Sequence, residues 1–281
     1  MKIKKVVIIG MGLIGGSLGK ALLEKNIADQ VIGVCRRQVS LDKAIKEKSL
    51  TAGCIDKYKE VVKDAQIIVI ATPVSKIKKI LTDLAEVLND PKIIVTDVGS
   101  TKEEIVRYAG QFKNNFSFVG AHPLAGSEKK GVEHSDGSLF ENSVCIVTPT
   151  NETLDENYER VKSLWEKTGA RIVRLEPKIH DEYLAFSSHL PHIVAYALAG
   201  ALGENFSKDM VATGFKDTTR IALSDPELWK DIFMSNKQNV INAIARVKEI
   251  LSGIEEDLAL DKEAELVKKL KKYKGIRDEY L

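Results

Sequence analysis

The apolar run Val6-Val7-Ile8-Ile9 leads straight into Gly10-Met11-Gly12-Leu13-Ile14-Gly15, and that junction limits what this chain can fold into more than any other feature. Four β-branched residues without polar alternation predict a strand covered on both faces, as in parallel sheets. The glycine spacing then predicts a turn feeding a helix over about residues 13–25. In such a turn Gly10 permits the tight bend, Gly12 lets backbone approach a pyrophosphate, and Gly15 lets the helix pack against the strand. Leu13 and Ile14 open the helix, whose unpaired N–H groups and dipole face the phosphates. The glycine pattern by itself is a weak signal. Between an apolar strand and a helix it predicts a dinucleotide site.

The same rhythm continues along the chain. Residues 31–35, 66–71, 92–96 and 116–119 read as strands. Between them lie a short charged helix that Ser40 can cap, an amphipathic helix over 74–88 and another over 101–111. Residues 144–147 and 171–174 read as late strands flanking a helix that contains Trp165. This alternation predicts an α/β fold, a Rossmann-type doubly wound parallel sheet, over residues 1–175. After Pro177 no β-branched run recurs and helix-like stretches continue, so residues 176–281 read as an all-α domain.

Charge narrows the partners. With 42 basic and 40 acidic residues the net charge is +2, which gives no global pull toward nucleic acid or a membrane surface. Anionic substrates must then be held by local cations. Cys35, Cys54 and Cys145 are widely spaced and form no CxxC; they suit a reducing cytosol and read as small buried apolar residues. Lys2, Lys4 and Lys5 before an apolar run mimic a secretory signal, but the run contains the glycine turn and continues into a helix, so it reads as a first strand. No apolar segment reaches bilayer length. His189 and His192, three apart with Pro191 between them to disturb a helix, lack a third ligand. His180-Asp181 imitates a metal dyad without its other ligands, so no metal is expected.

The place for an acidic residue that would accept from the ribose hydroxyls holds Cys35, followed by Arg36 and Arg37. An Asp there would repel a 2′-phosphate, whereas two arginines can hold one. NADP is therefore favoured, with NAD and two solvated arginines as the alternative. Thr72 and Pro73 follow a strand on the edge where a cofactor lies, and Asp97-Val98-Gly99-Ser100 end the next.

Three further motifs follow in order: Gly120-Ala121-His122-Pro123-Leu124-Ala125-Gly126-Ser127-Glu128, then Ser188-His189-Leu190-Pro191-His192, then Phe215-Lys216-Asp217-Thr218-Thr219-Arg220. Together with the glycine turn they resemble the prephenate/arogenate dehydrogenase family of tyrosine biosynthesis along nearly the whole chain. The resemblance implies an enzyme that oxidatively decarboxylates prephenate to 4-hydroxyphenylpyruvate while a hydride passes to NAD(P). Arogenate dehydrogenase, giving tyrosine directly, is the alternative.

Such chemistry needs a base for the 4-hydroxyl and cations for two carboxylates. The resemblance implies that His122 is the base and that Ser100 hydrogen-bonds both the histidine and the hydroxyl. An imidazole is mostly neutral near pH 7 and can accept that proton. His122 is expected to project from the end of the 116–119 strand. Arg220 matches the family's carboxylate-binding arginine, and a guanidinium fork suits a planar carboxylate. His192 is expected to face a substrate carboxylate, while His189 reads equally as a core histidine. Ser127 and Glu128 fall in the loop near the substrate's side chain. Lys216 and Asp217 are expected to orient their loop or pair with each other, and Lys130 and His134 to lie on the surface. A homodimer through the helical domain, with Trp229 as an interface or core residue, is likewise implied by resemblance. A chain ending at Leu281 leaves no room for the regulatory or mutase domains of some relatives.

Two rivals share the glycine turn. A β-hydroxyacid dehydrogenase relies on a helix lysine, against which the strand-end His122 argues. A nucleotide-sensing regulator has no need of His122, Ser100 and Arg220 together.

Overall fold

The computed structural model describes residues 2–126, 129–204 and 206–280. The chain divides into two compact units, one through Asn236 and one from Lys237 onward. In the first, β1 (Ile3–Ile9), α1 (Leu13–Glu24), β2 (Ala28–Cys35), α2 (Gln38–Lys46), β3 (Ala52–Ile55), α3 (Tyr58–Val61), β4 (Ile67–Ile70), α4 (Val74–Ala85), β5 (Ile94–Asp97), α5 (Glu103–Ala109) and β6 (Ser117–Phe118) alternate. Then come β7 (Gly120–Pro123), β8 (Val144–Thr148), α6 (Asp155–Thr168) and β9 (Arg171–Arg174). Helices complete the unit: α7 (Pro177–Leu184), a π-helical turn (Ala185–His189), α8 (Leu190–Leu202), α9 (Thr213–Thr219) and α10 (Pro226–Ser235).

Six strands form one all-parallel sheet in the order β3-β2-β1-β4-β5-β6. Its strands are apolar because helices cover both faces. On one side Leu18 and Leu22 of α1 share a core with Phe140 and Trp165; on the other Ile77, Leu81 and Leu84 of α4 pack with Ile105 and Phe116. The order reverses between β1 and β4. In open α/β sheets, ligands bind outside the carboxyl ends of strands at such a switch point. Gly10 follows β1 there, and Thr72 and Pro73 follow β4.

The structure departs from the predicted continuous sheet. β7, β8 and β9 form a separate three-stranded sheet, antiparallel between β7 and β8 and parallel between β8 and β9. Gly120 is where the chain leaves the first sheet, and a Cβ there would stand 2.5 Å from Thr148 Oγ1. The Asp97 carboxylate ties the two sheets by accepting from Ala121 N–H at 3.2 Å. Sequence reasoning also missed β3, whose four residues carry two small side chains and no β-branched run. Ser40 does not cap α2. Arg37 occupies the N-cap position without a side-chain bond, and Ser40 falls inside the first turn.

Pro191 does not interrupt its helix. It sits in the first turn of α8, and the disturbance it was expected to bring takes the form of the π-helical turn directly before it. In the second unit α11 (Lys237–Ala259) and α12 (Glu263–Asp278) form a helical hairpin. Lys269 of α12 pairs with Asp257 at 2.6 Å and donates to the Gly253 carbonyl at 2.7 Å.

Candidate active site

Two clefts in the first unit gather the residues singled out from sequence. The first, of about 430 Å³, is lined by Gly10, Gly12, Arg36, Arg37, Thr72 and Pro73, among others. Gly10 has φ 104°, and a Cβ on it would meet the Ala71 carbonyl oxygen at 2.5 Å, so no other residue fits without strain. A Cβ on Gly15 would stand 2.0 Å from the Gly10 carbonyl oxygen, which explains how closely α1 packs on the turn. Around Gly12 the space where a Cβ would stand is open, leaving the start of α1 accessible. Leu13, Ile14 and Gly15 do not line the cleft with side chains; they form the first turn of α1, with its free N–H groups.

These features fit a dinucleotide. The buried Thr72 hydroxyl has no hydrogen-bond partner, an orphan that a ligand in the cleft would satisfy. Burial pushes the Cys35 thiol up to about 11, so the residue at the ribose position carries no charge near neutrality. Arg36 and Arg37 are exposed and make no ion pair among the described residues. Lys76 and Lys79 add to this cationic rim, and Asp56 is the one acid lining it among the described residues.

The second cleft, of about 680 Å³, brings together Ser100, His122, His192 and Arg220, which are up to 120 residues apart in sequence. His122 does not project from the end of the 116–119 strand as expected. It lies within β7 of the second sheet, paired opposite Ile146. Its ring is nearly buried, and its Nδ1 lies 2.9 Å from His180 Nε2. Burial, followed by His180, Lys102 and His189, holds the His122 imidazolium well below its ordinary range, so the ring is neutral near pH 7.

Ser100 follows β5 and is half-buried on the same wall. His192 stacks on the buried Trp229, ring centroids 3.5 Å apart, and bonds the Ser188 carbonyl through Nδ1 at 3.0 Å. That fixes Nδ1–H as the donor and leaves Nε2 on the other side of the ring. Arg220 begins a 3₁₀ turn after α9, is exposed, and makes no ion pair among the described residues. Lys130 is exposed as expected but pairs with Asp225 at 2.6 Å on the cleft wall. Lys216 and Asp217 form no ion pair with each other. His189 is buried, with Nδ1 3.2 Å from the Asn236 amide, as a core histidine would be. Ser127 and Glu128 lie outside the described residues.

The comparisons with known proteins point the same way. The family model for prephenate dehydrogenase, nucleotide-binding domain, matches residues 18–174, and that for its dimerization domain matches 176–272. The chain belongs to the prephenate dehydrogenase family. A curated prephenate dehydrogenase from Bacillus subtilis is 37% identical over 247 residues, covering 84% of this chain and 65% of that protein. This family member thus spans about two thirds of that relative's length. A solved prephenate dehydrogenase from Aquifex aeolicus, in complex with hydroxyphenyl propionate and NAD+, has a TM-score of 0.92 at 34% identity, over 100% of this chain and 99% of the other. Synechocystis arogenate dehydrogenase has a TM-score of 0.85 at 31% identity, over 99% and 100% of the two chains.

Behind the cleft of this family member lies a layer that sequence reasoning missed. Lys102 and Asp97, both fully buried, form an ion pair, and Lys102 Nζ also donates to the Ala121 carbonyl at 3.1 Å. Lys102 looks like an ordinary charge at a helix start, and nothing in the sequence marks it as buried. His180 and Asp181 are buried too, and the apolar Ile179, Leu184 and Ala185 around them were the available signal.

Proposed function

We propose that this protein is a prephenate dehydrogenase that oxidatively decarboxylates prephenate to 4-hydroxyphenylpyruvate. The observation that carries this reading is the convergence of His122, Ser100, His192 and Arg220 on one cleft in a member of this family. His122 takes the proton of the substrate's 4-hydroxyl, and Ser100 holds that oxygen in line with the ring. A nicotinamide, when bound, supplies the hydride acceptor for the carbon that carries the hydroxyl. As the ring carboxylate leaves as CO2, its bonding electrons enter the ring, which becomes aromatic, and His122 returns the proton to the phenolate oxygen. Arg220 holds one substrate carboxylate through charge-assisted hydrogen bonds. His192, braced by Trp229, faces the other.

The first cleft holds the cofactor through Gly10, Gly12, the start of α1 at Leu13, Ile14 and Gly15, and Thr72 and Pro73. Arg36 and Arg37 give it a preference for NADP, supported by the uncharged Cys35 where an acid would stand. Residues 1–175 form the cofactor domain and 176–281 the helical substrate and dimerisation domain of a homodimer working in the cytosol. The matched dimerization-domain model supports the homodimer, and the three unpaired cysteines support the cytosol.

The test is nicotinamide reduction with prephenate or arogenate, each offered NADP and NAD. Turnover with prephenate is expected, fastest with NADP. Turnover with arogenate alone would make this an arogenate dehydrogenase, as in the Synechocystis relative, and silence in all four mixtures would overturn the reading.

A further inference from the structure

Among buried groups that the proposed reaction does not use, one set is ordered in a line. His122 Nδ1 lies 2.9 Å from His180 Nε2, and His180 Nδ1 lies 2.7 Å from Asp181 Oδ1. The Asp181 carboxylate accepts two more hydrogen bonds, at Oδ1 from the Lys102 N–H at 2.7 Å and at Oδ2 from the Glu103 N–H at 2.9 Å. These N–H groups open α5, so Asp181 serves as the anionic cap of a helix from another part of the chain. Asn236 donates to the Asp181 carbonyl at 2.7 Å and fixes the backbone of the same residue. His180 is fully buried and Asp181 only 2% exposed, so no water stands in for a missing partner.

The donors and acceptors along this line can run in only one direction. A carboxylate engaged by three N–H groups has acceptors alone, so His180 must carry its proton on Nδ1. A neutral imidazole has one N–H, which makes His180 Nε2 an acceptor. His122 must then donate from Nδ1, and its Nε2 is the nitrogen without a proton. That nitrogen has no partner among the described residues, and its ring lines the second cleft.

We propose that His180 and Asp181 are positioning residues that lock His122 in the Nδ1–H tautomer, so that Nε2 meets the substrate as an acceptor. This rests on the reading of His122 as the base. The neutrality it requires comes from the surroundings. The charged and titratable groups around His122 are Lys102 and Asp97 beneath β7, Cys145 on β8, His180 and Asp181 on α7, and His189 on the π-helical turn. Burial lowers both His122 and His180, with Asp181 opposing the effect at His180.

The test uses the full-length protein and two substitutions. His180→Phe keeps a buried ring and removes both nitrogens. His180→Gln sets an amide oxygen near the old Nε2 position, able to accept from His122 but unable to take a proton. Long-range proton–nitrogen NMR on the five histidines should report His122 as Nδ1–H in the parent and in His180→Gln, and as Nε2–H or a mixture in His180→Phe. In His180→Phe kcat should fall about a hundredfold or more with KM within threefold; a wrong tautomer costs about 10⁴ in a comparable histidine site. His180→Gln should recover most of that loss. An Nε2–H tautomer for His122 in the parent, or kcat within threefold of the parent in His180→Phe, would overturn the proposal. If His180→Phe fails to fold, the parent spectrum and His180→Gln still decide. The spectra need no substrate. A protein that turns over normally without His122 would therefore refute the base assignment and leave the tautomer result standing.

Discussion

The two clefts of this protein are built in opposite ways. The dinucleotide cleft is organised by six consecutive residues, Gly10 to Gly15, whose positions are set by backbone conformation and close packing. The His122 cleft draws Ser100 from the segment after β5, His122 from β7, and His192, Arg220 and Trp229 from the helical stretch from α7 to α10. The first depends mainly on the glycine turn and its close packing against Ala71. The second depends on buried bonds between distant segments, such as Asp181 to the start of α5 and Asp97 to Ala121. Local encoding makes a robust site for a common ligand. Dispersed encoding makes a site whose chemistry is tuned by what lies behind it.

Substitutions separate the two. The largest effect is expected from His122→Asn: loss of a general base should lower kcat by about 10²–10⁴. Cofactor affinity, read by fluorescence titration, should stay unchanged, and a parallel loss of cofactor binding would show that the clefts are not independent. Arg220→Ala should raise KM roughly tenfold to a hundredfold, the worth of about 1.5–3 kcal/mol of charged hydrogen bonding, with a smaller change in kcat. An unchanged KM would remove Arg220 from substrate binding. Gly15→Ala tests the other cleft. Forcing a methyl against the Gly10 carbonyl should destabilise the protein by about 1–3 kcal/mol in a denaturant titration and weaken cofactor binding. At saturating cofactor its kcat should approach the parent's.

Replacing Arg36 and Arg37 by Ala should shift the ratio of kcat/KM for NADP over NAD by roughly tenfold toward NAD, as loss of a charged hydrogen bond predicts. No shift would make them surface residues. The smallest effect concerns pH. Burial and the neighbouring cations disfavour protonated His122, so the base form persists below pH 6.5 and activity is lost only as pH falls through the lowered value. Between pH 7.5 and 5.5 kcat/KM should change by less than about twofold, whereas an imidazole at its ordinary value would lose roughly tenfold over the same range. A midpoint at or above 6.5 would mean that water reaches the ring.

Much of this architecture was legible in the residue order. Strands β1 and β4 were readable from the apolar runs at residues 6–9 and 67–70, because a strand covered on both faces needs no polar alternation. The short, small-residue β3 was not, and neither was the change of sheet at Gly120, where β7 pairs with the later strand β8, Gly120 opposite Thr148. Ser100, His122, His192 and Arg220 were named from their motifs, and all four line one cleft. As a sequence, His180-Asp181 shows only the outline of a metal dyad. Their role as hydrogen-bond partners depends on β7 and α5 meeting α7, and no spacing along the chain expresses that.

The sequence by itself therefore determined the parallel sheet, the glycine turn and the identity of the polar side chains that line the second cleft. These follow from side-chain periodicity, from the backbone freedom of glycine and from functional-group chemistry, all of them properties of neighbours in the chain. Tertiary structure alone decided the environment of those side chains: the second sheet that carries His122, the buried Lys102–Asp97 pair, and the line from Asp181 through His180 to the His122 ring. Burial and hydrogen-bond direction arise only once remote segments exclude water from one another. In this protein those two quantities set which nitrogen of His122 is free to accept a proton.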